Sequence, residues 1–256
     1  MEKLQDKIVF ITGGSSGIGR ACAVLAAQHG ARVAIADLKA DENSHATLQE
    51  IRQAGSEGYF VECDVASVGS VEQAIGKVLA EFGGLDIAIN NAGIGGEANL
   101  LAETSDQGWE KVINVNLHGV RHCMKHELKH MVKQRNGVII NMASILGHVG
   151  FANSSAYVAA KHGVMGLTKT AALEYAHLGI RVNAICPGFI HTPMLTNAGL
   201  DSEEMKGTLQ FIENAHAVKR LGTAEEVAKA TIWLASDEAS FVHGTGIIVD
   251  GGYLAQ

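Results

Sequence analysis

The sequence predicts an α/β fold, in which a doubly wound parallel β-sheet is flanked by helices within a single domain spanning 1–256. Short apolar runs rich in β-branched residues alternate with helical patterns along the chain. Strands that are apolar on both faces are typical of parallel sheets covered on both sides. No linker, charge block or internal repeat interrupts the alternation, which favours one domain. Right-handed crossovers then place ligands beyond the carboxyl ends of the strands.

The individual elements follow from the periodicity and from the residues that end each run. The predicted strands span 8–12, 32–37, 59–63, 85–90, 138–142, 181–186 and 247–250. Helical spacing predicts helices over 18–29, 41–54, 67–82, 105–133, 157–178 and 224–236. The segment 192–215 has scattered apolar residues and no strand of its own, and it begins just after the strand that contains Cys186. We interpret it as a small helical lid over a substrate pocket rather than a plain surface excursion.

Composition excludes several classes of partner. The net charge of −7 and the pI near 5.9 argue against binding to nucleic acid or to an anionic membrane. No apolar run reaches the roughly 18 residues that a membrane span needs, and the N-terminal sequence MEKLQDKIVF carries charges where a signal peptide is apolar. We therefore expect a cytoplasmic protein. Its four cysteines lack CxxC spacing and are expected to be free, mostly buried thiols.

A glycine-rich turn follows the first predicted strand. It reads TGGSSGIG over 12–19, with GxxxGxG spacing at Gly13, Gly17 and Gly19. Glycines there let the backbone approach a pyrophosphate, and the next helix offers its free N–H groups to that anion. Asp37 ends the second strand, where a carboxylate can accept from both ribose hydroxyls and repel a 2′-phosphate. NAD is therefore favoured over NADP, with Arg20 and Lys39 as the cations that could reverse this preference.

Further polar residues follow the later strands. Asp64 follows the third strand and could accept from an adenine amino group, and the NNAG sequence at 90–93 follows the fourth. The stretch SSAYVAAK places Tyr157 and Lys161 four residues apart, on one face of a helix. Taken alone, that pair is more often a partly buried tyrosine near a surface lysine.

Together these motifs resemble the short-chain dehydrogenase/reductase family, whose members have a Rossmann-type fold. The matches are TGGSSGIG at 12–19, NNAG at 90–93, Asn116 in NVNLHG, Ser144 in NMASILG, YVAAK at 157–161 and PGFIHT at 187–192. They occur in the family's order and span nearly the whole chain. The resemblance implies an NAD-dependent enzyme that interconverts a secondary alcohol and a ketone, assembled as a homotetramer.

The resemblance also implies roles for single residues. Tyr157 would exchange a proton with the substrate oxygen, Lys161 would bind the nicotinamide ribose and lower the pKa of the phenol, Ser144 would bond the substrate oxygen, and Asn116 would hold a water leading toward Lys161. The residues at cofactor-contacting positions are Gly13, Ser15, Ser16, Gly17, Ile18, Gly19, Asp37, Asp64, Val65, Asn91, Ala92, Gly93, Tyr157, Lys161, Pro187, Gly188, Ile190 and Thr192. The candidate substrate residues are Ser144, Leu146, His148, Asn153, Tyr157, Gly188 and Met194. This mostly apolar set suits a small to medium apolar or cyclic substrate.

Two other functions are weighed against this one. A 3-oxoacyl-(acyl-carrier-protein) reductase is similar over much of the chain, but Asp37 opposes NADP, and Leu178 stands where a basic residue would meet the acidic carrier, although Arg135 matches one such position. A non-catalytic dinucleotide-binding sensor would be expected to have lost the serine, tyrosine or lysine, and all three are present.

Two metal sites are also considered. His118, His122, His126 and His130 are spaced four apart, and the stripe is predicted to lie away from the apolar side of its helix, among cations. We therefore favour a solvated or subunit-facing surface over a metal site. In similar family members the last carboxylate holds a structural Mg²⁺ between subunits. Gln256 could do so here, or it could be a packed or frayed tail.

Overall fold

The computed structural model describes residues 3–197 and 199–255. Its seven strands are β1 (Ile8–Thr12), β2 (Arg32–Asp37), β3 (Gly58–Glu62), β4 (Ile87–Asn90), β5 (Gly137–Met142), β6 (Ile180–Pro187) and β7 (Gly246–Val249). They form one parallel sheet in the order β3-β2-β1-β4-β5-β6-β7. The predicted α/β fold is confirmed, and the predicted strand bounds differ from these by at most two residues. The order reverses between β1 and β4, which opens a crevice at their carboxyl ends.

Helices cover both faces of the sheet. The helices of the described residues are α1 (Gly17–Gln28), α2 (Glu42–Gln53), α3 (Val68–Phe82), α4 (Asp106–Ile113), α5 (Gly119–Gln134), α6 (Ser155–Tyr175), α7 (Pro193–Thr196), α8 (Lys206–Ala215) and α9 (Ala224–Ala235). Alternate residues of β1 enter two cores. Val9 and Ile11 pack with α1, α2 and α9 on one face, and Ile8 and Phe10 pack with α3, α5 and α6 on the other. This two-sided burial explains why the strands are apolar throughout.

The helix predicted over 105–133 is interrupted in the structure. A π-helical turn, Asn114–His118, separates α4 from α5. Such turns are rare and often lie at functional sites. Here the turn carries the buried Asn116.

The prediction that the histidine stripe lies on the polar side is wrong for His122 and His126. His118 is exposed, but His122 and His126 are buried, because α5 packs against α3 as well as against the sheet. The His122 ring nitrogen Nδ1 lies 3.0 Å from the carbonyl oxygen of Val65, and Nδ1 of His126 lies 3.9 Å from a carboxylate oxygen of Glu72. Within 3–197 and 199–255, no three His, Cys, Asp or Glu side chains are arranged to hold a metal ion.

The segment 192–215 is helical as predicted, since it contains α7 and α8. Leu200 and Ile212 of this segment form a separate small apolar cluster with Leu221. All four cysteines are free and buried. No helix in the described part of the chain has the length and apolar character of a membrane span. Gln256, the candidate Mg²⁺ ligand, lies outside the described residues.

Candidate active site

Glycines determine the shape of the loop between β1 and α1. Gly17 adopts a left-handed conformation, with φ of +53°, which few other residues accept. A Cβ on Gly19 would lie 2.0 Å from the carbonyl oxygen of Gly13. The hydroxyl oxygen of Ser15 is buried and has no hydrogen-bond partner among the described residues. A buried, unpaired donor beside a helix N-terminus fits the pyrophosphate of a dinucleotide.

Asp37, at the end of β2, faces this loop. One carboxylate oxygen accepts from the backbone N–H of Ser15 at 3.3 Å, and the other accepts from the N–H of Leu38 at 2.9 Å. Arg20, one of the two cations that could have favoured a 2′-phosphate, is instead paired through two nitrogens with Glu50. Lys39, the other cation that could have favoured a 2′-phosphate, is exposed. A carboxylate at this position would repel a phosphate group placed beside it.

The loop after β3 holds the next two candidate residues. Asp64 is exposed, and its carboxylate accepts from the N–H of Ala66 at 2.9 Å. Val65 is buried, and its side chain packs against Gly119 of α5, so that a Cβ on that glycine would lie 2.8 Å from it.

The loop after β4 is tied to the glycine loop and to the π-helical turn. The Thr12 hydroxyl oxygen accepts from the N–H groups of Asn91 and Ala92 at 3.0 and 3.1 Å, and the Asn91 side chain donates to the carbonyl oxygens of Thr12 and Gly13. The Asn116 amide accepts from the N–H of Ile94 and donates to its carbonyl, both at 2.8 Å. These bonds hold two neighbouring strand ends in one fixed arrangement.

Tyr157 and Lys161 lie one turn apart on α6, and Ser144 faces them from the end of β5. The Lys161 ammonium nitrogen is 5.4 Å from the centre of the Tyr157 ring and donates to the carbonyl oxygen of Met142 at 2.6 Å. The Ser144 hydroxyl oxygen accepts from the N–H of Leu146 at 3.1 Å and is hydrogen-bonded to the phenol. The fold thus brings the predicted serine, tyrosine and lysine together.

The ionisation of this trio differs from what the resemblance implies. Burial raises the pKa of Tyr157 to about 12, and the bond with Ser144 opposes that rise without cancelling it. Burial also lowers the pKa of Lys161 to about 8, because an ammonium loses hydration inside the protein. Protein atoms alone therefore keep the phenol protonated, and the implied lowering of its pKa needs a further positive charge near the hydroxyl.

The loop after β6 returns over the glycine loop. A Cβ on Gly17 would lie 3.4 Å from the Cβ of Thr192, whose hydroxyl donates to the carbonyl of Ile190 at 3.3 Å. Pro187 and Ile190 are buried, whereas Gly188 is half-buried. The predicted cofactor positions from both ends of the chain therefore converge on one crevice.

The candidate substrate residues border this crevice with different degrees of exposure. Leu146 is buried, whereas His148, Asn153 and Met194 are exposed. His148 is anchored on Cys186, with 3.4 Å between Nε2 and the thiol sulfur. Asn153 has a left-handed backbone, with φ of +62°, and does not cap α6, since Ser154 occupies the cap position.

The chain is similar to known dehydrogenases and reductases over nearly its whole length. The family model described as enoyl-(acyl carrier protein) reductase matches residues 13–254. Cyclohexanol dehydrogenase of Acinetobacter sp. (strain SE19) is 42% identical, covering 99% of this chain and 97% of the relative. Cis-4-hydroxycyclohexanecarboxylate dehydrogenase of Sinomonas cyclohexanicum is 43% identical, covering 99% of both chains. A 3-oxoacyl-(acyl-carrier-protein) reductase of Staphylococcus epidermidis is 40% identical, covering 96% of this chain and 98% of the relative. The crystal structure of levodione reductase matches with a TM-score of 0.95 at 38% identity, covering 98% of this chain and 99% of that one.

The chain belongs to the short-chain dehydrogenase/reductase family. Membership follows from the family match and from relatives about 40% identical along nearly the full length. It confirms the predicted fold and the predicted enzyme class, an oxidoreductase acting on CH–OH groups. The nicotinamide coenzyme preference and the roles of single residues remain proposals.

Sequence reasoning gave no role to Thr12 or His216 in this short-chain dehydrogenase/reductase. Thr12 holds the loop after β4, and its signals in the sequence are its place in the TGGSSGIG motif and at the end of an apolar strand. His216 is buried at the end of α8, where its Nδ1 lies 2.8 Å from the carbonyl oxygen of Ile212 and its Nε2 accepts from the N–H of Phe189 at 3.3 Å. Around it stand the rings of Phe151, Phe189 and Tyr253, with neighbouring ring centres 5.3–5.9 Å apart. No spacing in the sequence links these four residues.

Proposed function

We propose that this enzyme is an NAD-dependent dehydrogenase that interconverts a secondary alcohol and its ketone. The observation that carries the proposal is the trio of Ser144, Tyr157 and Lys161 at the same sheet edge as the glycine loop. Asp37 beside that loop, with Arg20 already paired, supports NAD over NADP. We further propose a cytoplasmic homotetramer. Leu173, which is 84% exposed on α6, is an apolar side chain available for a subunit contact.

Ser144, Tyr157 and Lys161 would have separate roles in proton transfer and in orienting the substrate and coenzyme. A bound NAD would supply the hydride acceptor and, at its oxidised nicotinamide, a positive charge that favours the phenolate. Tyr157 would take the proton of the alcohol, or return it to the ketone oxygen. Ser144 would bond that oxygen and fix its distance from the phenol. Lys161 would bind the coenzyme ribose, and Asn116 would hold the end of a water path for the proton.

An alicyclic alcohol or ketone is the substrate class that we propose. The names of two similar enzymes specify substrates that contain a cyclohexane ring. The cluster of Phe151, Phe189 and Tyr253 gives the crevice flat apolar surfaces, which suit a ring better than a flexible chain. His148 would orient a polar substituent from its anchor on Cys186.

Replacing the phenol tests the proposed chemistry most directly. Tyr157→Phe keeps the ring and removes only the hydroxyl, so kcat for cyclohexanol oxidation should fall about a thousandfold or more, in the range of general acid–base catalysis. NADH affinity, measured by fluorescence titration, should change less than about threefold, since the ring and Lys161 remain. Retained turnover in this variant would contradict the proton-transfer role.

The second candidate function is reduction of a 3-oxoacyl group carried by acyl carrier protein. It is favoured by the 40% identity with such a reductase from Staphylococcus epidermidis. It is opposed by Asp37 and by the net charge of −7, which repels an acidic carrier. Initial rates with cyclohexanone and with an acetoacetyl thioester, each with NADH and with NADPH, distinguish the two candidates. A faster reaction of the thioester with NADPH would favour the second.

A further inference from the structure

Glu127 is a carboxyl group wholly inside the protein. It points from α5 toward the sheet and has no solvent-exposed surface. No lysine, arginine or histidine forms an ion pair with it among residues 3–197 and 199–255. An ionised carboxylate in such a place would be strongly disfavoured. The proposed reaction gives this residue no role.

The carboxyl stands at the head of a chain of buried side-chain hydrogen bonds. The Asn90 amide nitrogen donates to Oε2 of Glu127 and to Oδ1 of Asn141, both at 3.0 Å. Asn141 donates in turn to the Thr168 hydroxyl at 3.0 Å, and Thr168 donates to the carbonyl oxygen of Val164 at 2.8 Å. The network therefore joins α5, β4, β5 and α6 through the middle of one core.

Two atoms of this network have no hydrogen-bond partner in the described structure, namely Oε1 of Glu127 and Oδ1 of Asn90. When the carboxyl is ionised, both oxygens can only accept hydrogen bonds, so they cannot pair with each other. Because Oε2 already faces the Asn90 amide nitrogen, a carboxyl and an amide lying in one plane would bring their second oxygens together. If Oε1 carried the acid proton, it would donate to Oδ1 of Asn90, and both unpaired oxygens would gain a hydrogen bond. The acid and the amide would then be joined in a ring by two hydrogen bonds.

We infer that Glu127 is a neutral acid in the folded protein, paired with Asn90 in a two-bond acid–amide ring, and acts as a positioning residue for the active site. Asn90 precedes Asn91, whose side chain and N–H hold the glycine loop. Asn141 lies three residues before Ser144, and Thr168 lies two turns beyond Lys161 on α6. One buried ring therefore fixes the elements that carry the proposed cofactor loop and trio. The positioning role rests on the proposed function, whereas the protonation does not.

The charge environment agrees with this inference. Burial raises the pKa of Glu127 to about 8, against a smaller lowering by the bond from Asn90. The titratable groups that face it are Cys123 on α5 and Cys63 after β3, and burial holds the pKa of each thiol above its ordinary value. Asn141 on β5 and Thr168 on α6 contribute no charge. Every neighbour is thus neutral or, in the case of Asp64 beside Cys63, of like charge.

The sign of the pH effect follows from the raised pKa. A carboxyl whose folded-state pKa lies above its unfolded value favours the folded state fully below the unfolded pKa. That contribution is lost as pH rises through the folded pKa. For Glu127 the loss falls between the ordinary value of 4.5 and about 8. Glutamine cannot ionise, and its amide can form the same two bonds with Asn90.

Three variants and two readouts test the inference. Denaturant midpoints of wild type and Glu127→Gln should nearly coincide at pH 4.5 and separate progressively up to pH 8, with the glutamine variant the more stable. Glu110→Gln removes an exposed glutamate of α4 and should follow wild type at every pH. If the denaturant midpoints of wild type and Glu127→Gln changed in parallel with pH, Glu127 would not be a neutral acid.

The infrared difference spectrum of wild type and Glu127→Gln at neutral pH should contain a protonated-carboxyl band. The absence of that band would also contradict a neutral Glu127.

The positioning role needs coenzyme and substrate measurements. Glu127→Gln should keep NADH affinity and kcat within about twofold of wild type, since the ring is preserved. Glu127→Leu removes every hydrogen bond between residue 127 and Asn90, leaves only the bond from Asn90 to Asn141, and should weaken NADH binding about tenfold or more. Equal NADH affinity in the leucine and glutamine variants would remove the positioning role. If the leucine variant does not fold, a glutamine variant with impaired NADH binding would contradict the role. The midpoints and the infrared band need no turnover, so they test the protonation of Glu127 even if the proposed function fails.

Discussion

The glycine loop after β1 is shaped by its own backbone and tied down by a few nearby side chains, whereas the substrate side after β5 and β6 is built from side chains of distant elements. In the loop, carbonyl oxygens, N–H groups and missing Cβ atoms define the space. On the substrate side, His148 rests on Cys186, and His216 joins α8 to Phe189. A backbone-defined site accepts almost no substitution. A site built from side chains can be reshaped one residue at a time, which suits a crevice that must fit a particular substrate.

The largest effect is expected where the close approach of backbone atoms shapes the site. Gly19→Ala would put a methyl group 2.0 Å from the carbonyl oxygen of Gly13, so the loop must shift. We expect NADH affinity to fall about a hundredfold and the free energy of unfolding to fall by about 2 kcal/mol, as for other overpacked sites. Fluorescence titration and urea denaturation measure the two quantities.

A matched control lies in α3. A Cβ on Gly76 would have no other atom within 4 Å, and the position is inside an exposed helical turn. Gly76→Ala should leave NADH affinity unchanged and raise the free energy of unfolding by about 0.5–1 kcal/mol. If Gly19→Ala left NADH affinity unchanged as Gly76→Ala does, the close approach of backbone atoms would not be what shapes the glycine loop.

The same difference explains how much the sequence could predict. A strand, a glycine turn and a helix are local patterns, so the cofactor loop and each strand could be predicted from neighbouring residues. The burial of His122 and His126 could not, because it depends on α3 packing against a second side of α5. The ring cluster at His216 joins residues 151, 189, 216 and 253, which only the tertiary fold brings together. Periodicity reports one buried face of a helix and says nothing about a second.

An intermediate effect is expected at Asp37, where one side chain supplements the backbone site. Asp37→Ser removes the carboxylate that would repel a 2′-phosphate, so the ratio of kcat/KM for NADPH to that for NADH should rise about tenfold or more. Asp41→Ser removes the same charge four residues away and preserves the N-cap of α2, since serine also caps helices well. The ratio should not move in this control. A similar rise in both variants would show that net charge, not the position of Asp37, sets the preference.

The smallest effect is expected at His216, which links the end of α8 to Phe189 through hydrogen bonds and ring contacts. His216→Ala releases the N–H of Phe189 and the end of α8, so the aromatic wall loses its support. KM for an alicyclic alcohol should rise about threefold to tenfold, the cost of one lost buried hydrogen bond, with NADH affinity nearly unchanged. His191→Ala, which removes only the exposed contact with Asp201 at 3.5 Å, should change neither value, because exposed ion pairs contribute little. If His216→Ala weakened NADH and alcohol binding equally, the two sides of the crevice would be one mechanical unit, and the distinction between a backbone-built and a side-chain-built half would not hold.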